Sequence, residues 1–224
     1  MRKKALLFLS TITTMIVYLV ACSDNTTGSL EFNEELQVFT DLEPVEGTSN
    51  LIVNLKRGEN VGIDSWFVFN FRNIEEDAIL PNGEMKGWCV EWNKPIQANN
   101  TDHTNINALS TLNNEKWKDL NYFLNIMDEL QEADSELTFR DMQAVIWSLI
   151  GIPEFNLDEL SDADLPTRLL DANGIAAFSR EKVNEIVGSV KENSSGFTIE
   201  EGDRYAILLE TGDDKQNLMA PVVR

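Results

Sequence analysis

The sequence predicts an α+β domain: antiparallel strands forming a β-sandwich or barrel, with a helical insertion between the strand that carries Cys89 and the C-terminal strands. Three observations point there. Runs of β-branched and aromatic residues fill the first part of the chain, an apolar stripe at steps of three and four occupies the middle, and two further β-type runs close it. Strands, then helices, then strands again is the order of an α+β domain and not of an alternating α/β sheet.

At the N-terminus, Arg2, Lys3 and Lys4 precede an apolar stretch from Ala5 to Ala21, softened by Ser10, Thr11, Thr13 and Thr14. That is the layout of an export signal, and the stretch is marginal in length for spanning a bilayer. It ends in Leu19-Val20-Ala21-Cys22, which resembles the lipobox of bacterial lipoproteins. The resemblance implies cleavage before Cys22 and a lipid on the new N-terminal cysteine, so that the protein is tethered to the membrane without crossing it. Ser23 and Asp24 look like the signals that send lipoproteins to the outer membrane or cell surface. Residues 1–21 are the expected signal peptide, residues 22–29 the lipidated cysteine and a small polar tether, and residues 30–224 a single domain.

The formal charge is −20, from 18 basic and 38 acidic residues. Such a surface argues against nucleic acid as a partner and against electrostatic adhesion to anionic lipid.

Along the domain, Leu30 to Thr40, Asn50 to Leu55 and Ile63 to Phe71 read as strands. Pro81-Asn82-Gly83 is a turn signal, and Met85 to Trp92 follows as another strand. Asn99 to Asn107 reads as polar loop. From Glu115 to Leu130, the residues Trp117, Leu120, Leu124, Met127 and Leu130 make one helical stripe. A second helix opens at Thr138, with Asp141 three places on as a capping partner, and closes at Gly151 before Pro153. Short helices are expected near Leu157 to Leu170 and Arg180 to Lys191. Tyr205 to Glu210 and Leu218 to Val223 are the closing strands, separated by a turn-rich spacer.

Two residues carry chemistry. With Cys22 taken by lipid, Cys89 has no disulfide partner left in the chain, and an unpaired thiol in an oxidising compartment is exposed to oxidation or mispairing. In its strand Trp88, Val90 and Trp92 fall on one face, and Gly87, Cys89 and Glu91 on the other. Gly87 would let another backbone approach closely, with room for a helix over that face. Gln143 lies on the second helix. At about 100° per residue it falls within the apolar arc, flanked by Phe139, Ile146, Trp147 and Ile150, while Arg140, Asp141, Ala144 and Ser148 form the solvent-facing arc. A buried carboxamide without partners costs about 1–3 kcal/mol. Taken singly, Gln143 reads as bonded to a neighbouring backbone and Cys89 as a small buried hydrophobe. Taken together, they suggest a thiol acylated by a side-chain amide, with loss of ammonia.

Trp88-Cys89-Val90-Glu91 and Met142-Gln143-Ala144-Val145-Ile146 resemble the two signatures of the thioester domains of bacterial surface adhesins. Trp88 stands where tyrosine, phenylalanine or leucine is usual, and Ala144 where a polar residue is more frequent. Leu120 to Asn125, Asp141 to Leu149 and Glu201 to Leu208 look like the family's preceding helix, glutamine helix and closing strand. The likeness spans about residues 60–224. It implies an internal Cys89–Gln143 thioester, opened by a lysine or other amine to leave a covalent adduct, with Trp88, Glu91, Phe139, Ile146 and Trp147 around it. The partner so implied is an amine-bearing protein or surface polymer, and the protein reacts once instead of turning over as an enzyme. Adhesins of this family are usually long stalks with a cell-wall sorting signal, and neither is expected here from residues 1–224. The alternative is a non-covalent binding or structural envelope lipoprotein in which Cys89 is a buried free thiol.

Other signals are weaker. His103, the only histidine, is a candidate for weak assistance to aminolysis as a general base, or for a Cys–His hydrolase with Asp102, but its polar surroundings read as a solvated loop. Asp171-Ala-Asn-Gly174 opens like a calcium loop, yet Ile175 stands at the fifth position and no glutamate at the twelfth, so a helix-ending turn is expected. Asp158, Glu159, Asp162 and Asp164 read as solvated caps. No cofactor and no metal is expected. Trp66, Trp88, Trp92, Trp117 and Trp147 are read as core packing in preference to a carbohydrate platform.

Overall fold

The computed structural model describes Phe39 and residues 41–224. The expected signal, the lipidation site and the tether lie outside the described residues. So does the strand expected over residues 30–40, except for Phe39, which is helical and rests against Trp117 with ring centroids 6.4 Å apart.

Among the described residues, eight strands form one antiparallel sheet, curled into a half-barrel, and three α-helices from Lys118 onward complete an α+β fold. The strands are β1 (Glu43–Pro44), β2 (Ile52–Arg57), β3 (Phe67–Arg72), β4 (Gly83–Cys89), β5 (Asn99–His103), β6 (Asn107–Ser110), β7 (Arg204–Glu210) and β8 (Leu218–Val223). Their order across the sheet is β1-β6-β7-β8-β4-β3-β2-β5. The helices are α1 (Lys118–Ala133), α2 (Phe139–Ile150) and α3 (Arg180–Asn193), all inserted between β6 and β7. Among the described residues, no helix is long and apolar enough to cross a membrane.

The junction of the two halves of the sheet is β4. Its residues Gly83 to Gly87 pair with β3, whereas Trp88 and Cys89 pair with Met219 and Leu218 of β8. Burial follows this switch: the first residues of β4 alternate between exposed and half-buried, and Gly87, Trp88 and Cys89 are all buried. Val90 continues the pairing, its N–H donating to the Asn217 carbonyl at 2.9 Å.

The helices form where the apolar spacing expects them. Leu120, Phe123, Leu124 and Met127 bury the stripe of α1, which packs along β7. Helix α2 opens on a complete capping box between Thr138 and Asp141 and ends at Gly151, whose φ of 66° is the left-handed region open to glycine.

Four expectations are corrected. The stretch from Asn99 to Asn107 is not loop: Asn99–His103 is β5, paired with β2, and Asn107 opens β6, paired with β7. Polar residues suit a sheet-edge strand that faces water; Asp102 accepts from Asn54 at 2.7 Å and is ion-paired with Arg72 at 2.5 Å. The helix expected over Leu157 to Leu170 is instead two 3₁₀ turns, Asp162–Asp164 and Thr167–Leu169. Pro166 between them disfavours helical backbone at the residue before it and lacks the N–H a helix needs.

The outer arc of α2 is also not solvated throughout. Helix α3 covers it, leaving Asp141 2 % exposed and Ala144 fully buried. Asp141 is satisfied there by the N–H of Thr138 and that of Ser179, both at 2.9 Å. Finally, Gly87 admits an aromatic ring and not a backbone. A Cβ placed there would lie 2.0 Å from the Phe69 ring.

Candidate functional site

The C-terminal end of β4 and the buried face of α2 bring Cys89 and Gln143 together. Both are fully buried. The Cys89 N–H donates to Gln143 Oε1 at 2.8 Å, and Gln143 Nε2 donates to the Cys89 carbonyl at 2.9 Å. The carboxamide thus takes the place of a neighbouring strand for the last residue of β4, and neither polar group is left orphaned.

The same two-point clamp appears twice elsewhere among the described residues. Asn125 exchanges bonds with the Arg204 backbone, both at 2.8 Å, and Asn82 with the Ile74 backbone at 2.7 and 3.1 Å. Clamping a backbone with an amide is therefore a structural device of this fold. What distinguishes the Gln143 clamp is that the clamped residue is a cysteine.

A second amide faces the thiol. The Cys89 thiol donates to Gln216 Oε1 at 2.7 Å, and Gln216 Nε2 in turn donates to the Glu91 carbonyl. Glu91 is fully buried beyond the strand end, where it accepts from the Asn217 N–H at 2.7 Å and pairs with Lys94 at 2.7 Å. This network ties the spacer before β8 to the residues after β4, so Gln216 is held against the thiol from both sides of the sheet junction.

Aromatic rings seal the site. Trp147 meets Trp66 edge-on at 5.2 Å and lies 5.4 Å from Phe155, while Phe139 meets Trp66 at 5.9 Å. Ile146 is fully buried in the same cluster, and Trp88 is fully buried with its indole N–H unpaired. Arg168 stacks over Trp66 at 4.1 Å and bonds Glu59. Burial pushes the Cys89 thiol well above its ordinary range, the charge of Glu91 adding to the rise. The positive charge of Arg168 and a hydrogen bond with Trp66 act against it without reversing it.

The residues expected around Cys89 and Gln143, namely Trp88, Glu91, Phe139, Ile146 and Trp147, are all buried in the domain core. His103 is not in a solvated loop. It is 7 % exposed in β5, its Nε2 bonded to the Gln97 carbonyl at 2.8 Å. In the sheet β2 and β3 stand between His103 and the strand of Cys89. Asp171 closes a turn by accepting from the N–H groups of Asn173 and Ile175, and no α-helix ends there. Among the described residues no group of three or more His, Cys, Asp or Glu side chains is gathered as a metal would need.

Sequence reasoning missed Gln216, Trp66 and Arg168 as neighbours of the thiol. Gln216 sits in a turn-rich spacer with no periodicity, so nothing local marks it. Arg168 lies in a segment whose sequence suggests a helix, and Trp66 carries only the signature of core packing.

Chemically, the arrangement offers a thiol and an amide carbonyl in one water-excluded pocket, with the Cys89 N–H already polarising the carbonyl oxygen. A donor at that oxygen also stabilises the negative charge that builds there during acyl transfer. No family model, curated protein or solved structure matches this chain.

Proposed function

We propose that this chain is a lipid-anchored protein of the cell envelope, on the outer membrane or cell surface, whose Cys89 and Gln143 condense to an internal thioester that captures an amine. The observation that carries the proposal is the contact itself: two residues singled out from sequence as reaction partners are held by paired hydrogen bonds of 2.8 and 2.9 Å in a fully buried site.

In the forming step the Cys89 sulfur bonds to the Gln143 side-chain acyl carbon. The carbon–nitrogen bond breaks, and ammonia departs with the thiol proton. Holding the groups in contact replaces a bimolecular encounter. The Cys89 N–H supports the charged tetrahedral oxygen, and the aromatic seal protects the product from water. In the capture step an amine attacks the same carbon, the carbon–sulfur bond breaks, and a proton returns to sulfur, leaving a stable amide. The protein reacts once and needs no cofactor. The export signal and Cys22 support delivery to the envelope, where the amine would belong to another protein or a surface polymer.

Intact-mass measurement tests this. The expected mass is one ammonia below that of the reduced mature chain, rising on methylamine treatment by one methylamine. A mass equal to the reduced chain sinks the proposal. A second reading rests on Gln216: its bond to the thiol leaves Cys89 satisfied as a free buried side chain in a non-covalent envelope protein. Immediate, stoichiometric thiol labelling on denaturation without amine favours that reading; labelling only after amine treatment favours the thioester.

A further inference from the structure

Gln216, which accepts from the Cys89 thiol at 2.7 Å, also lines a cleft of about 190 Å³, together with Trp66. Trp66, Trp92 and Trp147 give it apolar walls. Arg57, Lys94 and Arg168 line it as well, and no carboxylate does. This contrasts with a chain of 38 acidic against 18 basic residues. Glu59 pairs with Arg168 and Glu91 with Lys94, so two carboxylates stand near three cations and the exposed Arg57 carries the surplus.

We propose that this cleft is the entrance for the nucleophile and that it selects a lysine set among acidic residues of a partner protein. The inference rests on the thioester reading above. The tryptophan walls suit the methylene stem of a lysine. The surplus charge at Arg57 suits the carboxylates beside it, and the acidic surface elsewhere repels them, so the complementary field fixes where the segment docks. The lysine nitrogen then bonds to the Gln143 acyl carbon, the carbon–sulfur bond breaks, and the proton passes to the Cys89 sulfur.

The test begins with methylamine, whose covalent incorporation counts the intact thioesters. Three acetylated peptides follow, each with one lysine, flanked by glutamates, glutamines or arginines, and adduct formation is timed by intact mass. At low salt the glutamate-flanked peptide is expected to react about tenfold faster than the arginine-flanked one. The ratio should fall toward one in high salt and in Arg57→Glu. Lys191→Glu makes the same charge change on an exposed part of α3 outside the cleft and should keep the ratio. Equal rates for the three peptides overturn the cleft assignment, as does an equal loss of preference in Lys191→Glu; methylamine incorporation would then leave the thioester itself standing. Absence of methylamine incorporation removes the thioester reading and this inference with it.

Discussion

The Gln143 carboxamide and the Cys89 backbone are paired across 54 residues of chain, donor to acceptor and acceptor to donor. The pairing closes the end of β4 and holds the carboxamide against the backbone of Cys89, whose thiol is the only one among the described residues. Structure and proposed chemistry thus depend on the same two bonds.

Their structural part can be measured without the covalent one. In a Cys89→Ala background, which cannot acylate, Gln143→Ala leaves the N–H and carbonyl of residue 89 buried and unpaired. Each such group costs about 1–3 kcal/mol, so a further loss of about 2–6 kcal/mol is expected in urea unfolding. A loss below about 0.5 kcal/mol would show that the clamp contributes nothing.

The close approach of Phe69 to Gly87 gives a second prediction. Gly87→Ala would set a methyl group 2.0 Å from that ring. Overpacking of this kind costs about 1–3 kcal/mol. Phe69→Leu in the same chain frees the space, so the double variant should be less destabilised than the sum of the two single ones. Strict additivity in urea unfolding would mean that the ring does not occupy that space.

The pH dependence follows from the raised Cys89 thiol. Once the thioester has been opened by methylamine, the folded protein keeps this thiol neutral through burial, whereas the unfolded chain ionises it near the ordinary 9.0. Above that pH the unfolded state binds fewer protons than the native one, so stability falls as pH rises. The slope approaches about 1.4 kcal/mol per pH unit until the folded thiol itself titrates; below pH 9 the contribution is constant. Compared between pH 8 and 10, the opened protein should lose this stability relative to Cys89→Ala. Parallel curves would contradict a buried neutral thiol.

Much of this molecule was readable from short-range pattern. The stripe of α1, the Thr138–Asp141 box and Gly151 around α2, and the β-type runs of β7 and β8 specify their elements because neighbouring residues alone set period and caps. The burial of Gln143 was also legible, since one turn of helix fixes its side. Asn99–His103 was not. Its polar residues carry no alternation, and what makes them a strand is backbone pairing with β2, remote in sequence.

By itself the sequence determined the fold class, the helix that carries Gln143 and the isolation of Cys89. Only the tertiary structure decided that β4 changes partners at Trp88, that α3 covers Asp141 and Ala144, and that Gln216 meets the thiol. The physical reason is separation along the chain. Periodicity and capping act over a few residues, whereas Gln216 lies 127 residues from Cys89 and arrives there only because β8 pairs with β4.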